Sequence, residues 1–212
     1  MKKSISVLAA AMLLSCTFVS CGSKDSSDDK DTIVGKWIPT EETLKSASED
    51  EEVLVTGGYI EFISDNKMTF HEEIDYSSIL CIDGDKLVAG GNSIEYTYDG
   101  TTITAGATTF VRADEADEDS VYGEYNTDYF DQFMDSNSSD EAAVTYSLVF
   151  ESDGKSSLIA TVNTTYEYDE ENGTITTGLD EEDEGPSKVE IDGDKLTMTD
   201  SDGEVEIYTR AK

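Results

Sequence analysis

Residues 92–100 read NSIEYTYDG, with Ile94, Tyr96 and Tyr98 alternating against Ser93, Glu95 and Thr97. A period of two belongs to a strand with one face in a core, because successive side chains point to opposite faces. The same alternation runs through SKVEIDGDKLTMTDSDGEVEIYTR (187–210), where Val189/Ile191, Leu196/Met198 and Val205/Ile207 are separated by DGD and DSDG. Asp and Gly tolerate the positive φ of tight primed turns, so these read as hairpins. Pro39 and Pro186 fall at strand ends, where no central ladder loses a donor. Followed along the chain, the pattern predicts short strands at 33–39, 58–64, 67–74, 78–83, 86–90, 93–98, 101–105 and 108–113. A second set is predicted at 121–126, 145–151, 156–162, 164–169, 174–178, 187–192, 195–199 and 204–210. Nearly every connection is a short turn, which predicts antiparallel pairing between sequence neighbours. Two longer connections, 40–56 and 127–143, each follow the first strand of a set and suit a helical turn or two. DYFDQFM sets Phe130, Phe133 and Met134 at helical spacing, which suits a short lid.

The two sets are copies of one unit. VGKW (34–37) matches YGEY (122–125), and YIEFISDNK (59–67) matches SLVFESDGK (147–155). Gly35 and Gly123 are separated by the same 88 residues as Phe62 and Phe150. FVRA (110–113) matches YTRA (208–211), and these hold the only arginines of the chain, Arg112 and Arg210. The acidic run DEADEDS (114–120) lies between the copies and reads as a linker. An alternating meander has two exposed edges, and closure into a barrel removes them.

A Gly-x-Trp on the first strand, a meander of about eight strands and an arginine ending the last strand together resemble the lipocalin/calycin superfamily. They are most similar to the short lipocalin-like domains of bacterial lipoproteins. The resemblance implies an all-β chain of two tandem, small, up-and-down, eight-stranded antiparallel β-barrels. It implies an arginine packed over an aromatic ring at the closed end of each barrel and bonded to nearby carbonyls. Carried over by residue, Gly35, Trp37 and Arg112 serve the first barrel, and Gly123, Tyr125 and Arg210 the second. Tyr125 stands where a tryptophan is expected, which removes the indole N–H. The physics suits the residue choice: a guanidinium stacks flat on a ring and offers several donors at once, whereas an ammonium is compact and strongly hydrated.

The N-terminus supplies an address. Lys2 and Lys3 precede an apolar stretch from Ile5 to Leu14, too short to span a bilayer comfortably, and small residues then precede cysteine. FVSC (18–21) resembles a lipobox, which makes Cys21 the expected lipidation site; LLSC (13–16) offers Cys16 as the other candidate. An ordinary secretory signal cleaved elsewhere in this region is the plainer alternative. The domains expected are therefore a signal peptide (1–20), a lipidated cysteine with an acidic tether (21–32), a first barrel (33–113), a linker (114–120) and a second barrel (121–212). A diacyl anchor holds such a protein stably on the bacterial cell membrane or cell surface. Cys81 would then be the one cysteine left, with no disulfide partner, and reads as a small apolar strand residue.

Charge narrows the partners. The formal net charge is −34, and loss of residues 1–20 removes two lysines and no acid. Such a surface repels nucleic acid and anionic headgroups, so the membrane is expected as a partner only through the lipid, and nucleic acid is not. Catalytic chemistry has little to work with. His71 is the only histidine and falls on the solvent-facing side of its strand, opposite Met68 and Phe70. The Asp-x-Asp-Gly strings do not make EF-hands, because Gly203, Gly173 or Gly154 in the sixth place puts Met198, Tyr168 or Val149 first. No cofactor, metal site or enzymatic activity is expected. Tyr96, Tyr98, Tyr166 and Tyr168 fall in matching strands and are the candidates to line a ligand cup; core packing is the plainer role for a tyrosine row. The expectation is a monomeric, non-enzymatic binding module capturing a small ligand at a barrel mouth. The alternative is an interaction lipoprotein with filled barrels, meeting an envelope protein through its surface.

Overall fold

A computed structural model describes residues 32–49, 54–113, 119–126, 143–178 and 185–212. The described residues are all-β but for one helix. The first half holds β1 (Gly35–Pro39), α1 (Glu41–Glu49), β2 (Leu54–Ile63), β3 (Lys67–Asp75), β4 (Leu80–Asp83), β5 (Lys86–Ala89), β6 (Asn92–Glu95), β7 (Thr97–Tyr98), β8 (Thr102–Ala105) and β9 (Thr108–Arg112). The second holds β10 (Gly123–Asn126), β11 (Ala143–Phe150), β12 (Ser156–Asp169), β13 (Thr174–Thr177), β14 (Ser187–Asp192), β15 (Lys195–Thr199) and β16 (Val205–Arg210). Every pairing is antiparallel, as short turns between alternating runs require.

Eight strands close into a barrel in the order β13-β14-β15-β16-β1-β2-β3-β12, with β12 pairing back to β13. Five further strands continue the sheet from β12 as β11-β10-β9-β8-β7, and β4-β5-β6 form a separate three-stranded sheet. This order corrects the division of the chain at 114–120. The barrel takes β1, β2 and β3 from the first half and β12 to β16 from the second. Likewise β10 and β11 of the second half lie beside β9, β8 and β7 of the first.

The exchange is symmetric. β3 pairs with β12 over nine residues, with Glu72 opposite Ala160, positions that correspond at the 88-residue offset of the repeat. Gly35 opposes Phe62 and Trp37 opposes Ile60; Gly123 opposes Phe150 and Tyr125 opposes Leu148. A pseudo-twofold axis therefore runs through the β3–β12 seam.

One difference between the copies lies at the crossing. β12 runs unbroken for 14 residues, although the sequence predicts two strands meeting near Asn163. Its counterpart does break: Asp75 Oδ1 accepts the Ser77 amide at 3.0 Å, and Tyr76 O accepts the amides of Ile79 and Leu80, turning the chain between β3 and β4. The helical turns expected within 40–56 are α1; residues 127–142, with Phe130, Phe133 and Met134, lie outside the described residues. Two cores fill the two sides of the seam. One holds Trp37, Phe62, Met68, Tyr166, Leu196 and Tyr208; the other holds Ile74, Ile103, Phe110, Tyr125, Phe150 and Leu158.

Candidate functional site

The two arginines lie where the strands of the two halves meet. Trp37 is fully buried and donates from Nε1 to the Ile33 carbonyl at 2.7 Å. The guanidinium over its ring, 4.1 Å from the centroid, belongs to Arg210, which pairs with Trp37 across β1 and β16. Arg210 donates to the carbonyls of Val34 (3.0 Å) and Thr32 (2.7 Å). On the other side Arg112 lies 5.3 Å from the Tyr125 ring centroid and donates to the carbonyls of Ser120 and Tyr122. Ser120 and Tyr122 are the counterparts of Thr32 and Val34 at the 88-residue offset. The expected partnerships, Trp37 with Arg112 and Tyr125 with Arg210, are thus exchanged. The missing indole N–H is also replaced, because Tyr125 donates its phenol to the Val121 carbonyl at 2.7 Å, four residues back as in Trp37. Burial pushes that phenol up to about 12 against the pull of Arg112. Gly35 adopts φ +134, which favours glycine, and a Cβ there would stand 2.9 Å from Arg210 Nη1, so a side chain would also displace the guanidinium.

α1 lies across one end of the barrel. Thr43 Oγ1 donates to the Ile207 carbonyl (2.9 Å) and accepts the Ile207 amide (2.8 Å), fixing the helix to β16. Beneath it a cleft of about 40 Å³ is lined by Leu44, Ala47, Val55, Phe70, Glu72, Glu206 and Tyr208 among others. That is room for roughly one water, not for an organic ligand. Tyr208 donates to Glu206 Oε2 at 3.0 Å. Burial, with Asp200 and Glu204 nearby, holds the Glu206 carboxyl above its ordinary value against that hydrogen bond.

The four tyrosines singled out from the sequence line neither this cleft nor the one described next. Tyr166 is buried, meets Phe62 edge to face with centroids 5.0 Å apart, and donates to the Ile63 carbonyl at 3.2 Å. Tyr168 packs at the margin of the same core. Tyr96 donates to the Gly84 carbonyl (3.2 Å) and Tyr98 to that of Gly100 (2.6 Å), both against the other core. Cys81 is half-buried in β4 with a free thiol. Cys21 and Cys16 lie outside the described residues.

A larger cleft, about 230 Å³, opens on the outer face of the seam and draws on both halves: His71, Glu124, Asn126, Thr145, Tyr146, Ser147, Ile159 and Thr161. His71 is held by three neighbours. Its Nδ1 stands 3.0 Å from Thr161 Oγ1 and its Nε2 3.5 Å from Glu73 Oε1. Its ring stacks on Tyr59, with centroids 4.6 Å apart and planes 15° from parallel. Lys36 Nζ in turn sits 3.3 Å above the Tyr59 ring. Across the cleft Ser147 Oγ donates to Glu124 Oε1 at 2.7 Å. Alternation in the sequence puts His71 on the outer face of its strand, but no local pattern marks the cleft. The strands β3 and β12 that form it are 90 residues apart at His71 and Thr161, and no local pattern announces their pairing. Among the described residues no helix is long and apolar enough to cross a membrane. Compared with protein-family models, with curated proteins and with solved structures, the chain matches none.

Proposed function

We propose that this is a lipid-anchored lipoprotein of the bacterial cell envelope, exported and held at Cys21, which works as a non-enzymatic interaction module with filled barrels. In this reading the strands outside the closed barrel form a second, interrupted barrel. There β3 continues into β4, and β6 into β7, across the breaks at Tyr76–Ile79 and Tyr96. Each barrel is lipocalin-like, sealed at one end by an arginine over an aromatic ring. The observation that carries the reading is the packed interior: the end beneath α1 leaves about 40 Å³, and the four candidate lining tyrosines are spent on packing and carbonyl bonds. Recognition then belongs to the outer surface.

The absence of a catalytic role has its own support. Glu73, His71 and Thr161 stand in the order of a nucleophile relay. However, the backbone beside Thr161 pairs with β3 on one side and β11 on the other. Its amides are therefore committed to ladders and are poorly placed to hold an oxyanion.

Native mass spectrometry of the mature protein from its own host tests both parts. The expected mass is that of the chain from Cys21 plus its lipid and nothing else, with the lipid lost in Cys21→Ala. A co-purifying small molecule displaced by opening α1 would restore the capture reading.

A further inference from the structure

The pseudo-twofold axis gives the seam cleft a counterpart, and the counterpart is full. In β2 and β3, Tyr59 opposes His71; in β11 and β12, the corresponding positions are Ser147 opposite Ile159. On the neighbouring strands Lys36 corresponds to Glu124. On the first side the Tyr59 ring lies flat on His71 and is capped by the Lys36 ammonium. On the second side the ring is gone, a serine stands in its place, and a cleft of about 230 Å³ takes up the space. At about 230 Å³ the slot exceeds the one ring that fills the first side and has room for a single sugar-sized ring, with Ile159 as the aliphatic group of its lining.

Its chemistry is changed as well as its volume. The cation that caps the ring on the first side is replaced by the Glu124 carboxylate, which calls for hydrogen-bond donors from whatever enters. The walls are the hydroxyls of Thr145, Ser147 and Thr161 and the amide of Asn126, groups that both donate and accept. Ser147 is fixed by Glu124 and Thr161 by His71, so the walls are ordered before anything binds. Among the described residues no lysine or arginine lines the cleft, and the chain carries a net charge of −34, which disfavours an anion. Among the described residues no group of carboxylates, histidines or cysteines could hold a metal ion. A flat aromatic ligand would leave the polar walls unpaired, and buried polar groups without partners cost affinity.

We infer that the seam cleft binds one neutral pyranose ring of a saccharide, seated on Ile159 with its hydroxyls to Glu124, Asn126 and the threonine and serine hydroxyls. The inference deepens the reading above, since it places recognition outside filled barrels. The test is an amide-resolved NMR titration of the full mature chain with maltose, mannobiose and N,N′-diacetylchitobiose at millimolar concentrations. At least one disaccharide is expected to shift amides of β3, β11 and β12 around Ser147 and Thr161. Ser147→Tyr, which rebuilds the Tyr59 arrangement, should weaken that binding at least about tenfold. The exposed Thr145→Trp should do the same, and keeps the test sound if Ser147→Tyr does not fold. Shifts from none of the three sugars, or seam shifts that survive in folded Thr145→Trp, would overturn the site while leaving the filled-barrel reading intact. Shifts confined to α1, Glu72 and Tyr208 would overturn both.

Discussion

Arg210 and Arg112 do equivalent work at two places, and at each the guanidinium serves two demands that a lysine meets badly. It lies over a ring, and it reaches two carbonyls, Thr32 and Val34 in one case and Ser120 and Tyr122 in the other. An ammonium keeps a point charge but loses the flat stacking and the fork of donors. Arg210→Lys and Arg112→Lys are each expected to lower stability by about 1–3 kcal/mol, read from denaturant midpoints of the full chain. Equal midpoints for wild type and variants would show that the guanidinium is not needed. Both arginines were legible in the sequence because the chain is so poor in them. Their partners were not, since both copies carry the same short motifs and nothing local says which arginine meets Trp37. Glu206 gives a second prediction. Its carboxyl is held above its ordinary 4.5, so the folded state binds that proton more tightly than the unfolded chain. The contribution is full below pH 4.5 and is lost as pH rises through the raised value. Glu206→Gln stays neutral, and is expected to melt several degrees above wild type at pH 8 but not at pH 4. A gain of the same size at both pH values would refute the burial argument.

Among the elements, β12 decides how the halves combine. Its first half lies between β11 and β3, and its last four residues pair with β13 instead, so one unbroken strand passes from one core to the other. Alternation in the sequence located most strands, but it split this one at Asn163 and joined β6 to β7, which belong to separate sheets and leave Ile94 exposed. Polar Asn163 and Thr165 are exposed there, and an asparagine followed by two threonines looks like a turn. The first copy does turn at the corresponding place, through the Asp75–Ser77 bond, which made the split look consistent. Asn163 is paired with Ala143 on one side and Thr69 on the other, and its side chain accepts from Thr69 at 2.8 Å. Proline there removes the amide from a central ladder and leaves its carbonyl partner unpaired, at a cost of about 1–3 kcal/mol. Asn163→Pro is therefore expected to reduce amide protection in both β2 and β10, on opposite sides of the seam, in hydrogen exchange. Protection lost on one side only would mean that β12 does not couple the two cores.

At the scale of the molecule, the exchange of strands makes the two halves of the sequence mutually dependent. The first half contributes Trp37 without the arginine that covers it, and the second contributes that arginine without the tryptophan. The same holds in reverse for Arg112 and Tyr125. A chain cut between the halves loses covalent connection but none of these contacts. Residues 32–113 and 119–212, expressed separately, are each expected to lack a cooperative monomeric transition, because each carries edges and half-cores whose complements lie in the other. Mixed, they should form a one-to-one complex whose melting reports at Trp37 and at the tyrosines together. The joined chain should likewise unfold in one step, so that Arg112→Lys lowers the midpoint seen by Trp37 fluorescence, although Arg112 touches only the other core. Two fragments that each fold as stable monomers would show that a half can close on itself. In that event each arginine would turn to the ring of its own copy, and the seam between β3 and β12 would be one of two arrangements open to the chain.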